Sequence, residues 1–190
     1  MSRLCAACAF LLMLVVVGCA RGAAGPGSGS PSTVAHLPLL PTSAVPGIPA
    51  TTGPLSAVEL GRDASIRALA SKVVSFGYVR GRERTFQGES RHLTLVVSRS
   101  LLFEDPAGAQ RFVSFVRANA KAYFGTAVQT HQVMSRGHRG WLFTPAACAC
   151  HLANPAFTGL VATGRTVSWL EINGPDASPA LLTSLLRATT

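Results

Sequence analysis

The 190-residue chain is long enough for one ordinary domain with appendages and too short for two comfortable ones. A hydrophobic fraction of 48% excludes a wholly disordered polymer, although an apolar leader inflates that figure. The formal charge of +9 comes from fifteen arginines and two lysines, Lys72 and Lys121, against eight acids. That balance favours polyanionic neighbours.

The chain opens with Arg3, followed by an apolar run from Ala6 to Val17 that is too short to span a bilayer as a helix. This reads as a signal peptide over 1–18. Its end, Val16-Val17-Gly18-Cys19, resembles a bacterial lipobox: an aliphatic residue, a tolerant position, a small residue and the obligatory cysteine. The resemblance implies cleavage after Gly18 and a diacylglycerol on Cys19. It places the mature protein on the extracytoplasmic face of the cell membrane, anchored by lipid, since two acyl chains hold a protein stably where one does not. For such a protein the polyanions in reach are anionic lipids or envelope polymers, and nucleic acid is not an expected partner.

Residues 19–54 are rich in Gly, Pro, Ser, Ala and Thr, with Arg21 and His36 as the only basic residues and no acid. The composition predicts a disordered tether. Leu37 to Leu40, interrupted by Pro38, is apolar enough to touch the domain or the bilayer but has no periodicity.

A globular domain is expected over 55–190. Ser56-Ala-Val-Glu59 carries a capping-box signature, and Ile66, Leu69, Ala70 and Val73 recur at helical spacing, predicting one helix over 57–74. Strands follow over 78–87 and 92–103, joined across Gly88-Glu89-Ser90, with Gly81 as a candidate bulge. Asp105-Pro106 caps a helix over 106–122 with the apolar stripe Ala109, Phe112, Val113, Val116 and Ala120. Short strands are expected over 127–134, 139–144, 157–163 and 166–173, the last two joined by a tight turn at Gly164. Ser178-Pro179 starts a C-terminal helix carrying Leu181, Leu182, Leu185 and Leu186. The pattern predicts a single α+β domain: a mainly antiparallel sheet of about six strands, with three helices covering one face.

Two constellations carry candidate chemistry. With Cys5 and Cys8 in the leader and Cys19 lipidated, Cys148 and Cys150 are the remaining thiols, in the run Cys148-Ala149-Cys150-His151. They suit a disulfide in an oxidising compartment, a soft copper or zinc site with His131 or His138 as a fourth ligand, or two unreactive loop thiols. Arg80, Arg82 and Arg84 share a strand face, with Arg91 and His92 across the turn. This ribbon fits an anionic headgroup or polymer bidentately, or serves as a solvated sheet face.

Arg136, His138 and Arg139 form a second basic group on a hairpin loop, in a stretch from Asp105 to Glu171 that has no acid between its ends. Trp141, Trp169, Phe143 and Phe157 are expected in the core. Glu171, near Asn173, is the one acid beside a turn-rich edge. No Gly-x-Ser-x-Gly elbow, phosphate-binding loop or metalloprotease helix occurs, and no cofactor is implied. The whole layout resembles uncharacterised lipoproteins of actinobacterial envelopes, a resemblance that implies no active site. Two readings stay open: a non-enzymatic binding or interaction module of the envelope, or a thiol-redox or metal-handling lipoprotein.

Overall fold

The computed structural model describes residues 37–63, 67–88, 93–145 and 156–189. Expectations for Cys19, Arg91, His92, Cys148, Cys150 and His151 lie outside the described residues. The domain is α+β, as its pattern predicted. Among the described residues, seven antiparallel strands form one sheet in the order β1-β2-β3-β7-β6-β5-β4. They are β1 (Ala50–Leu55), β2 (Tyr78–Gln87), β3 (Leu95–Phe103), β4 (Gln129–Ser135), β5 (His138–Thr144), β6 (Ala156–Thr163) and β7 (Thr166–Asn173). The six expected strands all form within a few residues of their predicted limits, and β1 is the addition.

The helices are α1 (Ala57–Asp63), α2 (Arg67–Ser75), α3 (Pro106–Ala118), α4 (Ala120–Phe124) and α5 (Pro179–Thr189). The capping box closes reciprocally, with the Ser56 amide donating to Glu59 Oε2 at 2.7 Å and the Glu59 amide to Ser56 Oγ at 3.1 Å. These bonds hold the Glu59 carboxyl below its usual range. Asp105 caps α3 by accepting from the Gly108 amide at 2.5 Å, with Pro106 at the first helical position.

Two expected single helices are divided. The one over 57–74 becomes α1 and α2, packed so closely that a Cβ on Gly61 would lie 3.0 Å from the Ala70 Cβ. The one over 106–122 breaks at Asn119, whose amide side chain donates to the Phe115 carbonyl at 2.8 Å and competes with the helical ladder.

The largest correction concerns the tether. Among the described residues, 37–54 already belong to the domain rather than to a tether ending at 54. Leu37, Leu40 and Val45 are buried, and β1 pairs with β2 along its length. The Leu40 amide donates to Ser98 Oγ at 2.9 Å, and Arg84 Nη1 donates to the Leu40 carbonyl at 2.8 Å. Composition is a poor guide here because a few apolar side chains and a Pro-tolerant edge strand suffice once a sheet face exists to receive them.

That segment also changes the layering, for the sheet is covered on both faces and not on one. Helices α1 to α4, with Phe112 of α3 at the contact, pack on one face over Leu101, Phe103, Val167 and Trp169. The opposite face is closed by α5 and the 37–48 segment over Phe86, Val96, Leu170 and Ile172.

The bulge in β2 lies at Val79, where the register shifts between Tyr78 and Arg80, while Gly81 stays in the ladder opposite Leu101. Gly81 is needed for a different reason: a Cβ there would sit 2.5 Å from the Tyr78 hydroxyl. The shift sends Tyr78 to the face of α1 to α4, off the parity of the arginines, where its hydroxyl donates to the Leu55 carbonyl.

The two tyrosines of the chain both titrate abnormally. Burial, helped by the Glu59 charge, pushes Tyr78 up from 10.0 to about 12, and burial alone does the same to Tyr123. A folded-state value above the unfolded one means that this stabilisation is complete below pH 10 and is lost as pH rises from 10 towards about 12. Phenolate absorbance at 295 nm is therefore expected to appear together with loss of circular dichroism in that window. In denaturant it should appear near pH 10. Ionisation near 10 in the folded protein would contradict the burial of both rings.

Candidate functional site: an aromatic cleft above a shared guanidinium

Strand register sets out the floor of the site on the face covered by α1 to α4. One row runs across β2, β3, β7, β6 and β5 as Thr85, Val97, Glu171, Thr158 and Phe143. The next row inward is Glu83, Arg99, Trp169, Leu160 and Trp141.

Arg99 is only 7% exposed in the middle of this face, an environment that an arginine occupies only when paired. Its Nε donates to Glu83 Oε2 at 2.6 Å and its Nη1 to Glu171 Oε2 at 3.4 Å. The guanidinium also lies 5.5 Å from the centre of the Trp169 ring. One cation thus serves two carboxylates, leaving the trio with one net negative charge.

Above Glu171 opens a cleft of about 330 Å³. The short helix α4 and its exit supply Tyr123, Phe124 and Val128; β5 and its exit supply Phe143, Thr144 and Pro145; and Ala156, Thr158 and Glu171 are the other described residues of the lining. Phe124 stacks on Phe143 with ring centres 4.6 Å apart, and Tyr123 meets Phe124 at 6.1 Å. Among the described residues of the lining, Glu171 is the one that carries a charge. The cleft therefore offers aromatic side chains, Thr158 in the row of Glu171, and one carboxylate held in place from below.

Part of the arginine ribbon is built into the fold. Arg80 and Arg82 are exposed, but Arg84 donates from Nε to Thr52 Oγ1 at 2.9 Å and from Nη1 to the Leu40 carbonyl, fastening the N-terminal segment to β2. His131 and His138 are both exposed on the β4–β5 hairpin. His131 faces Leu142, four positions along β5 from His138, so the hairpin keeps the two apart. Among the described residues no group of three His, Cys, Asp or Glu side chains could hold a metal ion.

The basic hairpin turn forms as expected, with Arg136 in the left-handed region at φ 45° and Gly137 beside it at φ 83°. Trp169 is buried, while Trp141 is partly buried with the Arg117 guanidinium 3.9 Å from its ring centre.

Sequence reasoning noted Glu171 but missed Arg99, Tyr123 and Phe124. The signal for Arg99 was present: it shares strand parity with Val97, Leu101 and Phe103, so a charge stands where that alternation calls for a core residue.

No protein-family model matches the chain, and comparison with curated proteins finds no match. Among solved structures the chain is similar to the extracellular domain of PknH from Mycobacterium tuberculosis. The two are 12% identical over 78% of this chain and 86% of that one, with a TM-score of 0.49.

Proposed function

We propose that this chain is a membrane-anchored, extracytoplasmic lipoprotein whose domain is a non-enzymatic binding module, with the cleft beside Glu171 as its ligand site. The lipobox-like Val16 to Cys19 run supports the anchor. The observation that carries the binding reading is the cleft itself, a concave aromatic surface with one fixed charge at its floor. Both carboxylates near it are committed to the same guanidinium, an arrangement suited to positioning charge. The exposed Arg80 and Arg82 lie on the opposite face of the sheet from this cleft, and add long-range attraction towards anionic envelope surfaces.

Two measurements test the reading. Metabolic labelling with a radioactive fatty acid is expected to mark the wild-type chain in the membrane fraction and to be lost in Cys19→Ala. An unlabelled, soluble wild-type chain defeats the anchor. Amide and methyl NMR of the full chain in non-ionic detergent, against a fragment set of amines, acids, neutral aromatics and monosaccharides, is expected to shift Phe124, Val128 and Thr158 first. Shifts confined to other surfaces defeat the cleft as the site.

A further inference from the structure

We infer that the cleft selects an organic ammonium ion, such as an alkylamine or quaternary ammonium head, and seats it between Glu171 and the rings of α4. This inference rests on the cleft being the ligand site and adds its chemistry.

Three observations converge on it. The first is the sign of the local charge. In a chain of formal charge +9, the described residues of the lining carry one carboxylate and no base. The buried guanidinium beneath does not cancel the carboxylates, because its single positive charge is shared between Glu83, at 2.6 Å, and Glu171, at 3.4 Å, and the trio keeps one net negative charge. The Glu171 side chain is also 32% exposed, which leaves it accessible from the cleft.

The second observation is the aromatic wall. Tyr123, Phe124 and Phe143 line the same space as Glu171, and aromatic faces attract cations through their quadrupoles, most strongly where water is partly excluded. A carboxylate opposite aromatic faces is complementary to a group that is both cationic and clothed in methylene or methyl groups. A hydrated inorganic cation gains little from such walls, and an anion meets Glu171 with like charge. The third observation is the Thr158 side chain, in the same strand row as Glu171, whose hydroxyl can accept an N–H bond from a primary ammonium. The volume of about 330 Å³ holds such a head with a few carbons of its chain.

The test uses the full chain in a non-ionic detergent, read by calorimetry and by NMR shifts at Phe124, Val128 and Thr158. The probes are choline against its neutral isostere 3,3-dimethylbutan-1-ol, butylammonium against butanol, and butyrate and N-acetylglucosamine as anionic and sugar controls. Each cation is expected to bind about tenfold more tightly than its neutral partner. Glu171→Gln keeps the side-chain shape and leaves the Arg99–Glu83 pair intact, and it is expected to cut that preference several-fold, leaving the share due to the aromatic walls.

Acetyl-lysine amide, with its free side-chain ammonium, and a short-chain phosphatidylethanolamine then distinguish a peptide source of the ammonium from a lipid one. Equal binding of cation and isostere, an unchanged preference in Glu171→Gln, or stronger binding of the sugar overturns the inference while leaving the cleft a ligand site. Absence of any shift in the cleft with every probe overturns both.

Discussion

Replacing Arg99 by alanine is expected to lower the unfolding free energy by about 3 kcal/mol, at the lower end of the range for breaking a buried ion pair. The lower end applies because Glu83 and Glu171 keep 24% and 32% of their side-chain surface in contact with solvent. The loss has two parts. The guanidinium stem leaves a hole beside Trp169, and the two carboxylates are left facing apolar surroundings without their shared cation.

The parts separate experimentally. Arg99→Met fills most of the volume and should recover only the packing share. Adding Glu83→Gln and Glu171→Gln to the alanine variant should recover the electrostatic share. Urea titrations of wild type and the three variants measure both shares. Full recovery of stability in Arg99→Met would show that Arg99 acts only by filling space.

What could be read from the residues, and what could not, divides along the range of the interaction. The Ser56–Glu59 box, the Asp105-Pro106 cap and the turn at Gly164 are legible because each is closed by groups within a few positions in the chain. Alternation along β3 and the leucine stripe of α5 is equally local. The breaks at Asn119 and after Asp63 were missed because hydrophobic spacing continues across them, and spacing carries the helix prediction. The bulge was assigned to Gly81 on glycine's usual role, but the glycine accommodates Tyr78 and the shift falls at Val79.

The candidate site was the least legible part. Glu171, Arg99 and Glu83 lie on three strands, and Phe124 belongs to a five-residue helix with no pattern of its own. Only the order of strands brings them together, and β7 returning beside β3 is a long-range choice. The arginine ribbon, by contrast, was visible as a pattern, and yet Arg84 is used to hold the N-terminal segment.

That fastening predicts the second large effect. If residues 37–49 were a tether, Leu40→Ala would leave stability unchanged, because an exposed flexible side chain has nothing to lose. Leu40 is instead fully buried against Phe86, Val96 and Leu170, beneath the α5 face. Its truncation is expected to cost about 3 kcal/mol, within the range for Leu→Ala in a packed core. Ser98→Ala should cost a further, smaller amount, about 1 to 2 kcal/mol, since it strands the buried Leu40 amide.

Thr51→Ala, on the exposed face of β1, serves as the control and should stay within about 0.5 kcal/mol of wild type. A chain starting at Ala50 is the more severe variant: it uncovers Phe86 and Val96 and removes the acceptor of Arg84 at Leu40, so a lower and broader urea transition is expected. An unchanged midpoint in both Leu40→Ala and the truncated chain would return residues 37–49 to the tether. A midpoint shift in Leu40→Ala without a change in slope makes the segment part of the cooperative unit, because only a side chain packed in the native state lowers stability while leaving the surface exposed on unfolding unaltered.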